Sequence, residues 1–458
     1  MEIKNVILPC QDSATDTSRW DVEVENGKVR RLHPSNHSAS EPPKILLPAL
    51  CHPHIHLDKP FILTCGHPPS KQHPDYSDLV PRTGSFDEAL SNTSKAKGWY
   101  TTEDLYLRGS QLLATSYEQG VTSLRAFIEI DHITGALPLK IAIQLKSDFS
   151  HLLEVQICAF AQDPLFSTAH GEANRTLITS LLGEYASSVQ ALGTTPYVEE
   201  SREASLRNIE WAIATAIHHN LHLDFHLDYN LTPPSPSTQP LTYCAIELLD
   251  KHNWTGLADK SRTIVFGHCT QLTLLSDSEL RHLSDTIVRS GLPIHFVGLP
   301  SSDMFMMGRP SSTTKTTQTR PRGTLNVPFM IKDLGLSACI GVNNVGNAFT
   351  PFGSGDPLQV ASWGVGIYQC GTVLDAKMLY GCVSWLARRA IGLGGDTEGS
   401  HIVEGQSLQG MLLIENKKHI KLPSAADGLG LKVPAKQRTS FKDIVWDPPE
   451  FELRSIMR

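Results

Sequence analysis

Two short stretches near the start of the chain alternate apolar and polar residues, 3–8 (IKNVIL) and 20–32 (WDVEVENGKVRRL). This period of two predicts half-buried strands, and the Asn26-Gly27 step inside the second stretch predicts a tight hairpin. An apolar strand over 45–50 then runs into a histidine-rich end, CHPHIHLDK. From there to about residue 400 the pattern changes. Helical spacing at 102–119, 137–150, 172–192, 202–220 and 357–370 alternates with short β-rich runs at 121–128, 153–161, 221–226, 263–268, 294–299 and 338–342. Gly120 stands where the first of these helices should stop. Strand and helix repeated this often, with few tight hairpins, predict parallel strands joined by right-handed helical crossovers. About seven strands over roughly 350 residues suit an α/β fold of the (β/α)8, TIM-type barrel class with insertions. After residue 400 β character returns in MLLIENKKHI and FKDIVWDPPEFELRSI. A small β-sandwich subdomain built from both ends is therefore expected, with 1–48 and 403–458 as its two parts and 49–402 as the barrel.

Composition narrows the function. The 458 residues are 40% hydrophobic and 19% charged, which excludes disorder for the bulk of the chain. Forty Lys and Arg against 47 Asp and Glu leave a net charge of -7, so no basic field exists for a phosphate backbone, and no nucleic-acid partner is expected. Nine scattered cysteines without a CxxC pair argue against a disulfide framework and against a thiolate zinc site. The start, MEIKNVILPCQDSATD, has no secretory pattern, and apolar runs fall short of a membrane span, so a cytoplasmic protein without membrane contact is expected. Two segments read as loops: 65–100, with a helix expected from 86 to 97, and the Thr-, Pro- and Arg-rich 308–323. In a barrel such segments serve as lids or substrate loops, or simply as solvated connections.

The twenty histidines carry the chemical signal through their placement. In PHIHLDK, residues two apart on a strand share a face, so His54 and His56 converge, with His52 a third in phase. His226, flanked by Asp224 and Asp228, and His268 stand at the ends of later strands, the face where barrel enzymes gather their chemistry. Any one of them alone is an ordinary structural histidine; jointly they suggest a metal site. Three neutral imidazoles with an open fourth position suit one divalent ion, zinc or iron, in a catalytic arrangement.

The motifs PHIHLDK, AFAQDPLF, FHLD, FGHCTQ, GLPSSDMFMMGR and NNVGNAFTPFGSGDPL, in this order over about residues 45–415, resemble those of the cytosine deaminase branch of the amidohydrolase superfamily. The resemblance implies a metal-bearing (β/α)8 barrel with a β-sandwich made from both chain ends. It places His54, His56 and His226 on the metal, His268 beside the water and substrate, and Gln162 on the substrate amide, with Phe160 and Asn344 completing the substrate-binding set. It implies no carboxylated bridging role for Lys59. Two positions depart from the family. Its metal-bound aspartate falls on Asn343, or on Asn344 with a shift of one, and its proton-shuttling glutamate falls on Tyr229. Asparagine cannot accept water's proton, and tyrosine, with a reference pKa near 10, is protonated at neutral pH. Candidate replacements are His268, His52, Asp58, Asp228 and Tyr229, the last as a hydrogen-bond donor to a developing oxyanion. Asp58 and Asp228 read equally as partners that orient histidines, and Asp356 as the cap of the helix after it.

The expected function is hydrolysis of a C–N bond in a small nitrogen-containing molecule, by a deaminase or a cyclic amide or amidine hydrolase. The alternatives are a non-hydrolytic isomerase, lyase or cyclase on the same barrel, and an inactive binding protein. A homo-oligomer is possible in either case.

Overall fold

The computed structural model describes residues 1–9, 18–38, 40–235, 238–309, 323–394, 402–424 and 430–458. The 308–323 segment lies almost wholly outside them. Strands β1 (Glu2–Ile7), β2 (Arg19–Glu25), β3 (Lys28–Pro34) and β4 (Lys44–Pro48) open the chain. Asn26 and Gly27 have φ of 51° and 72°, the left-handed pair that a two-residue hairpin turn between β2 and β3 requires.

The apolar stretch expected as one strand over 45–50 is divided at Ala49. Its first half is β4; its continuation is β5 (Leu50–His56), the first barrel strand. β6 (Val121–Glu129), β7 (Glu154–Ala161), β8 (Val189–Thr194), β9 (His222–Leu227), β10 (Ile264–His268), β11 (Ile294–Gly298) and β12 (Ala338–Ile340) follow in sequence order around one parallel sheet. The sheet closes just past β12, where Asn343 N–H donates to the His54 carbonyl at 3.0 Å and His56 N–H donates to the Asn343 carbonyl at 3.0 Å. Both faces are covered, so outward residues such as Leu124, Ala126 and Ile128 are as buried as the inward ones.

β8 corrects the sequence reading, which carried a helix through 172–192. The helix ends at Glu184, and its expected continuation is a strand. The inward positions of β8 are Ala191 and Gly193; a Cβ on Gly193 would lie 2.9 Å from both Cys158 Sγ and Phe160 Cδ2. A strand whose inner face must be this small shows no apolar alternation.

β13 (Met411–Ile414), β14 (His419–Ser424), β15 (Gly430–Pro434) and β16 (Arg454–Ile456) complete the chain. Both ends build one six-stranded sheet, β16-β13-β4-β1-β2-β3, with β14 and β15 as a separate ribbon. Leu46 and Leu413 face a small core with Val6, Val22 and Val29, while Ile45, Leu47 and Leu412 face the barrel side. The β character expected in FKDIVWDPPEFELRSI holds only for its last residues. Phe441–Trp446 is a helix, capped by Ser440, whose side chain accepts from Asp443 N–H, and it buries Phe441, Ile444 and Val445 at helical spacing. Asp356 caps its helix as expected, accepting from Leu358 N–H at 3.0 Å. No helix among the described residues is long and apolar enough to cross a membrane, and no disulfide joins any two of the eight described cysteines.

Candidate metal centre at the barrel mouth

The HxH pair reaches the barrel interior through a change of phase. Leu50 faces outward and Cys51 inward, so regular alternation would turn His54 and His56 out. The pairing with β6 is irregular between His52 and Ile55, at Pro53, and past it Ile55 and Leu57 pack outward while His54 and His56 turn in. His52 stays on the outer side, its Nε2 3.2 Å from Ser116 Oγ, and so is not the third in-phase ligand that simple counting suggested. On β9, His222, Asp224 and His226 share the inward face.

Three imidazoles meet there. His54, His56 and His226 are buried, and each offers one ring nitrogen within 4.8 Å of the others. His54 Nε2 and His226 Nε2 lie 3.0 Å apart. Burial, reinforced by neighbouring cationic groups, holds all three well below the usual imidazole range, so they are neutral donors. Their Nδ1 atoms have no hydrogen-bond partner. Around them, Phe127 stacks on His54 with centroids 4.0 Å apart, and Phe160 lies 4.5 Å from His226 and 5.4 Å from His56. Neutral imidazoles converging from β5 and β9 fit a zinc-like cation, whose nitrogen ligands stand about 2.0–2.1 Å from the metal.

His268 should face outward by alternation, yet its φ of 66° turns the ring back to the mouth, 5.1 Å from His226. Its Nδ1 lies 2.8 Å from Asp303 Oδ1. The other Asp303 oxygen accepts from Thr324 Oγ1 at 2.7 Å and from Leu299 N–H at 3.3 Å. The Tyr229 ring covers His268 at 3.9 Å, and its hydroxyl donates to the Ser302 carbonyl at 3.4 Å. Burial pushes the phenol well above its ordinary range, followed by Asp303 and Tyr197, so Tyr229 is a hydrogen-bond donor.

Asp228 is placed otherwise than expected of a base. One oxygen accepts from Leu241 N–H at 2.7 Å, the other from Thr242 N–H at 3.0 Å and Thr242 Oγ1 at 2.5 Å. It anchors the start of helix Leu241–Lys251. Asp58 lies behind His56, with Oδ1 4.0 Å from His56 Nδ1 and Oδ2 accepting from Glu129 N–H at 3.0 Å. Burial, with Glu129 nearby, raises its carboxyl above the usual range. Asn344 braces the closing loop, its Oδ1 accepting from Asn347 Nδ2 at 2.8 Å. Asn343 lies against His54 and His56, with Oδ1 buried and without a hydrogen-bond partner.

One layer higher, Gln162 lines a cavity of about 330 Å³ with Lys97, Asp163, Thr93 and Phe349. Lys59 is paired with Glu129. Lys97, the last residue of helix Phe86–Lys97, contacts Asp131 at 2.8 Å and Asp163 at 3.8 Å as well as Glu129. Burial opposes the charge of Lys97, but these three carboxylates raise its pKa well above the ordinary value. A larger cavity, about 850 Å³, lies beside the starts of β6 to β8 and the small sheet; no predicted site residue lines it.

Sequence reasoning passed over Phe127, Glu129, Lys97 and Asp303. Phe127 and Glu129 were recoverable from the two-residue step inward along β6. Asp303 lay inside a quoted motif, GLPSSDMFMMGR, four residues past a strand-end leucine. Nothing local marked Lys97.

The fold has solved counterparts. The structure is similar to 5-methylcytosine deaminase from Klebsiella pneumoniae liganded with phosphonocytosine, with a TM-score of 0.73 at 19% identity over 97% of this chain and 94% of that one. N-isopropylammelide isopropylaminohydrolase from Burkholderia multivorans gives 0.65 at 18% identity over 98% and 94%. An adenosine deaminase from Xanthomonas campestris with bound zinc gives 0.51 at 15% identity over 86% and 80%. No protein-family model and no curated protein matches the sequence. The fold is therefore the one these enzymes share, a parallel (β/α)8 barrel with a β unit from both termini.

Proposed function

We propose that the chain is a metal-dependent hydrolase of the amidohydrolase superfamily, near its cytosine deaminase branch, acting on a C–N bond of a small nitrogen-containing molecule. The observation that carries this reading is the meeting of His54, His56 and His226 at the C-terminal ends of barrel strands, in a fold shared with deaminases of small heterocycles. The three imidazoles would hold one divalent cation, and the zinc of the adenosine deaminase favours zinc over iron. When bound, the cation supplies polarisation of the substrate and activation of water.

The chain's own residues do the rest. Gln162, on the wall of the 330 Å³ cavity, presents its amide to the substrate, and Phe160 supplies an apolar surface beside His56 and His226. His268, held by Asp303, keeps its other ring nitrogen directed at the reacting centre, the proton position a general acid or base needs. Tyr229 donates a hydrogen bond and cannot shuttle protons. Cytosine is disfavoured as substrate for that reason. Residues 49–402 would form the catalytic unit, with 1–48 and 403–458 as its support.

The test has two arms. Purified protein loaded with zinc should hold about one ion per chain, and His226→Ala should hold none. A panel of cyclic amides, amidines and amino-heterocycles, turned over in oxygen-18 water, should give labelled product. Turnover without label would favour the isomerase, lyase or cyclase alternative, and absence of zinc uptake would overturn the metal site.

A further inference from the structure

The set of groups facing the shared cation position contains no carboxylate. Among the described residues, the His, Cys, Asp and Glu donors that converge there are the three imidazoles alone. Two carboxylates in the neighbourhood are held in other contacts: Asp58 sits on the Nδ1 side of His56 with Oδ2 accepting from Glu129 N–H, and Asp303 is engaged by His268, Thr324 and Leu299.

Asn343 stands beside two of these imidazoles. Its backbone is fixed between His54 and His56 by the two 3.0 Å bonds that close the barrel, with φ of 70°, a left-handed conformation that Asn adopts more readily than most residues. That backbone aims the side chain at the same two rings. It is 3% exposed, and its Oδ1 is a buried acceptor with no partner, an arrangement that is destabilising unless something uses the oxygen. Its side chain lies against both of these imidazoles.

We propose that Asn343 Oδ1 is a neutral fourth donor to the cation, making a three-imidazole, one-amide set that leaves the ion's positive charge uncompensated, so that the remaining position captures a small anion. The inference rests on the metal site proposed above. It assigns the family-departing asparagine a positive role: a site that a carboxylate would have neutralised becomes an anion receptor.

Cobalt(II) and azide are suitable probes, because the visible spectrum reports both loading and anion binding without turnover. Wild-type protein should take up about one cobalt and bind azide at least tenfold more tightly than Asn343→Asp, which keeps size and tolerates the same backbone conformation. Asn343→Asp should also hold cobalt more tightly. Asn343→Ala should lose about tenfold or more in cobalt affinity. Equal azide affinity in wild type and Asn343→Asp overturns the proposal, as does unaltered cobalt affinity in a folded Asn343→Ala. If the alanine variant fails to fold, the aspartate arm decides alone. Failure of wild-type protein to bind cobalt at all would instead remove the metal site itself, a distinguishable result.

Discussion

Two polar layers lie inside the same barrel, equally buried and oppositely built. In the lower layer Arg125 is fully engaged: Nη1 donates to Asp224 Oδ2 at 2.9 Å, Nε and Nη2 to Gln156 Oε1 at 3.2 Å each, and Nη2 to the Ile391 carbonyl at 3.2 Å. In the upper layer the Nδ1 atoms of His54, His56 and His226 and the Asn343 amide oxygen have no partners. Arg125, Asp224 and His54 are all fully buried, so burial does not tell the layers apart. Pairing does. A buried polar group that is satisfied holds the structure, and a group left unsatisfied needs a functional reason. On this contrast the lower layer is a plug under the proposed metal centre, and the upper one is its proposed receptor.

The sharpest break is Arg125→Met. It leaves the Asp224 carboxylate in the barrel without its cation, and removing one member of a buried pair costs about 3–5 kcal/mol. Burial already raises the Asp224 carboxyl to about 7 despite Arg125, so the variant would hold it neutral at part of that cost. A large fall in the denaturation midpoint is expected, with much of it restored in Arg125→Met/Asp224→Leu. A loss below about 1 kcal/mol would mean that the lower layer is no plug.

A pH scan probes the same layer through a histidine remote from the metal ligands. His295 begins the inward face of β11, and burial, followed by Arg389 and Arg125, lowers its pKa to about 4. In the unfolded chain it titrates near 6.5, so between those values the unfolded state binds the proton and the folded state does not. Its contribution is therefore fully present above pH 6.5 and is lost as pH falls toward 4, by roughly 3 kcal/mol. In His295→Phe the acid side of the stability profile should be flatter. An unchanged slope would show that burial in the lower layer does not hold the His295 imidazole neutral.

These two layers also show how far the sequence could be read. The βα alternation and the strand-end histidines were legible because outward strand faces are apolar and because HxH places two ligands on one face. Pro53 marked a residue able to bend His52 away from the pair, but not that the bulge decides which face His54 and His56 take, and His52 was counted as a third in phase for that reason. Arg125 and Asp224 sit 99 residues apart, and no local pattern couples them. Asp228 looked catalytic because it neighbours the position of a lost glutamate; only the fold shows its oxygens spent on a helix start. β8 was hidden because its inner face has to be small. What the chain conceals is phase and pairing, which are set by neighbours distant in sequence.

The smallest expected effect separates the layers most cleanly. His226→Leu removes one side of the 3.0 Å nitrogen pair and replaces a ring whose Nδ1 is already unpaired with an apolar side chain of similar bulk. In chelator-treated protein its urea midpoint should therefore correspond to a loss of less than about 2 kcal/mol, because little satisfied hydrogen bonding is given up. Zinc at about 100 times its Kd should stabilise the wild type by about 2.7 kcal/mol and leave the variant unmoved. A metal-free loss as large as that of Arg125→Met would show instead that the three imidazoles bear structural weight of their own, and the contrast between the layers would fail.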